Sequence, residues 1–284
     1  MKPASKRHRA SGLGLFAAAL TLGLGAAAAV AAKPQSSIPP APLPDAQHYD
    51  RCIATARSDP QKAYDDAESW LNLGGGFPAQ HCAAVALVGL KKYAEAATQL
   101  EGLANAMMQA GPEMRADALE QAGQAWLLAD RPADAKAAFD AALAFEPKDP
   151  ELLIDRAEAL ALDGKFFDAI DDLNTVLDQT PNRVDALVYR ASAYRQLGSL
   201  DLALDDAERA LRLDPDSAPG LLERGNIRRL KDDDSGAKAD WQRVVQLAPG
   251  TPAAQSARDN LVRLAAGSLP ASPVAGPTAQ KTKP

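Results

Sequence analysis

The chain has 284 residues, 46 % of them apolar but only 5 % aromatic, and a formal charge of −6. With so few rings, the buried surface has to come from Ala and Leu, which have high helix propensity and little side-chain entropy to lose, so composition points to an all-helical protein. Without Lys2, Lys6, Arg7 and Arg9, which sit in a leader-like segment, the balance is 27 basic to 37 acidic side chains, and no Lys/Arg run with interleaved aromatics offsets it; such a surface repels a phosphate backbone, and no nucleic-acid partner is expected.

Residues 1–32 run from a basic stretch ending at Arg9, through an apolar stretch from Leu13 to Val30, to small residues at Val30-Ala31-Ala32. This is the pattern of a secretory signal peptide cut after Ala32. Ser11 to Ala32 is also long enough, and free enough of charge, to span a bilayer as an uncleaved anchor. Either way the rest is expected outside the cytoplasm, in the bacterial periplasm or tethered to the membrane by the leader alone. Residues 33–45 form a linker with prolines at Pro34, Pro39, Pro40, Pro42 and Pro44, which favour extended backbone. Residues 267–284, rich in Pro and small polar residues, lack apolar periodicity and read as a disordered tail.

From Ala116 to Thr251 the chain falls into four rows of 34 residues whose columns agree in size and polarity. Proline recurs at Pro147, Pro181, Pro215 and Pro249, and alanine at Ala135, Ala169, Ala203 and Ala237. Leucine recurs at Leu119, Leu153, Leu187 and Leu221, followed four residues later by Gly123, Ala157, Ala191 and Gly225. Phe139, Leu173 and Trp241 fill a large column in which Ala207 is the exception, and Leu143, Leu177, Leu211 and Val245 complete the stripe. Small residues let two helices of a hairpin approach, large ones fill the remaining volume, Gly164 and Gly198 mark turns, and each proline ends a second helix.

These columns resemble the tetratricopeptide repeat. Tyr194-Arg195-Gln196-Leu197-Gly198 and Leu211-Arg212-Leu213-Asp214-Pro215 look like that family's first-helix and second-helix ends. The implied fold is a right-handed α-α superhelix of about six hairpins with a capping helix at 252–266 that carries Ala257, Leu261 and Leu264. Row four departs, with Arg228 where Trp126, Leu160 and Tyr194 stand and Asp232-Asp233-Asp234 in its turn, and a looser hairpin is expected there. Residues 46–115 hold two less regular hairpins. Ala96 lies 39 residues before Ala135, which suggests a second helix extended through Met107 and Met108.

Cys52 and Cys82 are the only cysteines. In an oxidising compartment they pair, closing a loop of about 30 residues worth roughly 3 to 4 kcal/mol; otherwise they are two small buried hydrophobes. His81 and Cys82 supply too few ligands for zinc, and Gly74-Gly75-Gly76 lacks the ending of a nucleotide loop, so no metal or cofactor is expected. Asp171-Asp172 and Asp205-Asp206 read as a solvated face. No nucleophile, base and orienting group fall together, and no enzymatic activity is read.

In the family the first helix of each hairpin lines a concave groove. The resemblance therefore implies a protein or peptide partner facing Glu120, Gln124, Ile154, Glu158, Val188, Ser192, Arg195, Leu222, Asn226 and Arg229, with the groove grading from acidic to basic. A small-molecule or glycan ligand is the alternative. Glu120 and Ile154 occupy columns where a clamp for a chaperone's C-terminal carboxylate wants Lys. Arg156, Arg190 and Arg224, one per row, suggest structural pairing with residues such as Asp172 or Asp206.

Overall fold

The computed structural model describes residues 45–108 and 111–267. The expected leader, most of the linker and the tail beyond Gly267 lie outside the described residues. Within them there are thirteen helices and no strand. These are α1 (Asp45–Ser58), α2 (Pro60–Asn72), α3 (Gly76–Gly89), α4 (Tyr93–Ala106), α5 (Pro112–Leu128), α6 (Pro132–Leu143), α7 (Pro150–Leu162), α8 (Phe166–Gln179), α9 (Val184–Gln196), α10 (Leu200–Leu213), α11 (Ala218–Leu230), α12 (Asp234–Leu247) and α13 (Pro252–Ala265). Each helix packs on its neighbours in sequence, and α7, α9, α11 and α13 each also touch the preceding first helix. The result is an all-α helical-repeat superhelix: six hairpins and a final cap.

The turns explain the period. At the end of five first helices one residue takes a left-handed backbone: Lys91, Asp130, Gly164, Gly198 and Asp232, with φ between 58° and 74°. In each case the next N–H reaches back to the carbonyl five residues earlier, as in Lys165 to Leu160 (2.8 Å) and Ser199 to Tyr194 (2.9 Å). This bond satisfies a helix-end carbonyl, so the turn is a cap as well as a connector. Helix starts are equally explicit: Asp59, Asp149, Ser217, Asp233 and Thr251 each accept a backbone N–H in the first turn.

The alanine column runs farther than four rows, through Ala63, Ala96, Ala135, Ala169, Ala203 and Ala237, all fully buried. Beside it, first and second helices share out volume. A β-carbon on Gly123 would lie 2.5 Å from the Phe139 ring, and one on Gly225 would lie 2.6 Å from the Trp241 indole. Where the second helix carries Leu173 or Ala207 instead, the first helix carries Ala157 or Ala191. Gly123 with Phe139 and Ala157 with Leu173 have nearly the same combined size, whereas Ala191 with Ala207 is smaller and packs with Ile227, Tyr194 and Leu204.

Three expectations are corrected. The extra residues before Ala135 do not lengthen α4, which ends at Ala106; they give α5 an added first turn, 17 residues against 13 in α7, α9 and α11. Asp172 and Asp206 are buried rather than solvated. Arg156 holds both oxygens of Asp172 at 2.8 and 2.6 Å and also reaches Asp140, while Arg190 holds Asp206 and Asn174 in the same way. Each arginine thus joins the second helix of its own hairpin to that of the hairpin before. The fourth row is not loose either, because Arg224 and Arg228 both bind Asp240 and Trp241 is fully buried.

Candidate functional site

Two polar columns run along the first helices at the repeat period: Gln121, Asp155, Tyr189 and Glu223, and beside them Gln124, Glu158, Ser192 and Asn226. The structure ties each row's second column to the next row's first. Gln124 Nε2 donates to Asp155 (3.0 Å), and Tyr189 O–H donates to Glu158 (3.2 Å). Ser192 is too short for this link; Arg195 touches it and spans to Glu223 at 2.5 Å. Asn226 accepts from Asn260 of α13 (2.9 Å) and from Trp241 (3.2 Å). Upstream, Tyr49 O–H reaches Nδ1 of His81 at 2.8 Å, and His81 Nε2 reaches Gln121 Oε1 at 2.8 Å. A polar ladder therefore crosses every first helix from α1 to α13.

Several groove residues named from the sequence are rungs of this ladder. Gln124, Glu158, Arg195 and Asn226 are engaged as described, and Gln124 also meets Glu120 at 3.3 Å. Ile154 is 6 % exposed and belongs to the core, and Val188 of the same column is half-buried against it. Leu222 is half-buried against the C-terminal apolar cluster. Arg229 faces Asp232 (3.6 Å) and Asp234 (3.3 Å), and Asp233 caps α12. The expected basic end of the groove is accordingly neutralised within the chain. The acidic end is not: among the described residues Asp155 and Glu158 form no ion pair, only hydrogen bonds from neutral donors. Burial, with Glu158, Glu151 and Asp149 nearby, pushes the Asp155 carboxyl up to about 6. Burial holds the His81 imidazole below its usual value, with the Gln121 bond and Asp117 opposing it.

Two clefts open on this face, each about 610 Å³. One, at the N-terminal ends of α9 and α11, is lined by Val184, Val188, Tyr189 and Pro219 with Arg183 and Asp185, and it contains Val188 of the sequence-based set. The other lies among α1, α3, α4 and α5, with Tyr49, Phe77, Pro78, Met107 and Met114 as apolar walls and His81, Asp117 and Gln121 as polar lining. Sequence reading missed it, although Met114 stands in the added turn of α5. Beneath the same hairpins Cys52 is bonded to Cys82, with Cα atoms 6.2 Å apart, and His48 stacks on Trp70 at 4.1 Å. No group of three or more His, Cys, Asp or Glu placed to hold a metal ion is found among the described residues.

The tetratricopeptide-repeat family model matches residues 122–182 and 154–218. No curated protein matches the chain. Among solved structures, TTC0263, a thermophilic tetratricopeptide-repeat protein of Thermus thermophilus, is 26 % identical and covers 54 % of this chain and 84 % of its own, with a TM-score of 0.50. A MamA protein crystal structure is similar in fold, at 15 % identity, 61 % of this chain, 92 % of its own and a TM-score of 0.51.

Proposed function

We propose, from the premise that the chain is a tetratricopeptide-repeat protein, that it is a non-catalytic scaffold of the cell envelope which holds a protein or peptide along its first-helix groove. The observation that carries this reading is the ladder. It fixes the spacing of first helices from α1 to α13 and leaves two clefts on the same face, a pre-organised surface suited to an extended partner. Affinity capture from envelope extracts tests it, with Val188→Asp as control, since a charge in the cleft at α9 and α11 repels an apolar contact. The reading predicts a partner recovered with the native chain and depleted with the variant; recovery of none, or equal recovery with both, counts against it.

Export is part of the same proposal. Its support is the leader pattern together with a disulfide between the only two cysteines, which belongs to an oxidising compartment. N-terminal sequencing of the protein from the producing cell checks this: a start at Lys33 in the periplasmic fraction supports it, and an intact leader in the membrane fraction converts it to an anchored form. The cleft at α3 and α5 also favours a second reading, a small molecule as ligand, because its volume and apolar walls fit an apolar one.

A further inference from the structure

Phe77, 42 % exposed, and Met114, 53 % exposed, stand on opposite walls of the cleft between α3 and α5. Successive first helices later in the stack pack on one another, whereas α3 and α5 make less direct contact and are bridged by the His81–Gln121 bond. The added turn of α5 contributes Met114 to the opening, so the break in the 34-residue period supplies part of one wall of the cleft. Its lining holds one carboxylate, Asp117, and no cation. Along the same side of α5 come Gln121 and then Gln124, which leads to Asp155 and Glu158, the acidic pair that no cation of the chain offsets among the described residues.

An apolar hole that continues into an uncompensated acidic strip matches a ligand with the complementary order. We infer that this cleft takes one large apolar side chain of an extended partner segment whose Lys or Arg, a few residues on, meets the acidic strip. From Asp117 to Gln124 is seven residues of helix, about 10 Å, which an extended chain covers in about three residues. The fitting pattern is thus an apolar residue, two of any kind, and a cation. This inference rests on the scaffold reading and gives it a partner chemistry.

Selection of a random peptide-display library on the full chain, followed by binding of the enriched peptides made synthetically and labelled, tests it. The expected result is enrichment of that apolar-to-basic spacing. Affinity should fall at least tenfold in a Phe77→Ser/Met114→Ser variant, whose partly exposed sites leave the fold intact, and severalfold in Asp155→Asn/Glu158→Gln, and it should weaken with added salt. Acidic or neutral enriched peptides, or binding unchanged in these variants, overturn the inference. Peptides lost only with Val188→Asp overturn it while leaving the scaffold reading standing, and a library that yields no binder contradicts both. Sedimentation that shows a dimer dispersed by the Phe77 and Met114 substitutions assigns the cleft to a second copy of the chain and likewise overturns it.

Discussion

Arg190 lies sixteen residues before Asp206 and grips both of its carboxylate oxygens, at 2.7 and 2.8 Å. The same interval joins Arg156 to Asp172 and Arg224 to Asp240. In the first regular row both places are held by alanine, Ala122 and Ala138, each buried. Charge enters this position as a pair or not at all, as expected where one buried partner left alone is costly.

Arg190→Ala leaves Asp206 buried and unpaired, and a loss of about 3 kcal/mol is expected. Arg190→Ala/Asp206→Ala imitates the first row and should recover more than half of that loss. Urea unfolding of the two single variants and the double measures the coupling; additive losses sink the pairing argument.

Gly123→Ala puts a β-carbon against the Phe139 ring, where the native distance leaves 2.5 Å. Overpacking of this kind costs roughly 1 to 3 kcal/mol. Adding Phe139→Leu recreates the Ala157 and Leu173 combination of the next row, and stability should return to within about 1 kcal/mol of the native chain. Thermal unfolding of both variants checks this, and a double variant no better than the single one contradicts shared volume.

Reduction of the Cys52–Cys82 bond should cost roughly 3 to 4 kcal/mol in the chain-entropy account. Because stacked repeats unfold partly independently, the loss should fall on α1 to α4. Hydrogen exchange with and without reductant, alongside Cys52→Ala/Cys82→Ala, resolves the location; equal loosening of α9 to α12 argues against it.

Asp155 predicts a specific pH dependence. Its folded carboxyl sits at about 6, above the roughly 3.9 of an unfolded aspartate. Between those values the native chain keeps a proton that the unfolded chain releases. Its contribution is therefore fully present below about pH 4 and lost as pH rises through about 6. Asp155→Asn should stabilise the protein by roughly 2 kcal/mol at pH 7.5 and by little at pH 4. His81, whose depressed value acts in the opposite sense over part of this range, cancels in the difference between native and variant. A difference that does not change with pH removes the half-buried carboxyl from the account.

What could be read beforehand followed residue chemistry. Buried alanine at a fixed interval marks close helix approach, and Ala135, Ala169, Ala203 and Ala237 gave the hairpins away. The pairing of Asp172 and Asp206 with Arg156 and Arg190 was legible from the recurring arginines, but their burial was not, because a helical aspartate beside another reads as solvated. The column of Gln121, Asp155, Tyr189 and Glu223 went unseen because its members share no side-chain type; what repeats is the complement between each and a group in the preceding row. Met107 and Met108 continue the apolar pattern of α4 in the sequence, yet Gly111-Pro112 opens α5 a turn early, and periodicity alone does not say on which side of a connector an insertion is absorbed.

The central claim is that partners meet the first helices and not the second. Photo-crosslinking from single positions tests it most directly, with a benzoylphenylalanine at Gln124 or Ser192 on first helices and at Thr175 or Asp205 on second helices. The account predicts crosslinks to the captured partner from the first two positions and none from the last two, whereas crosslinks from Thr175 or Asp205 with none from Gln124 or Ser192 would contradict it.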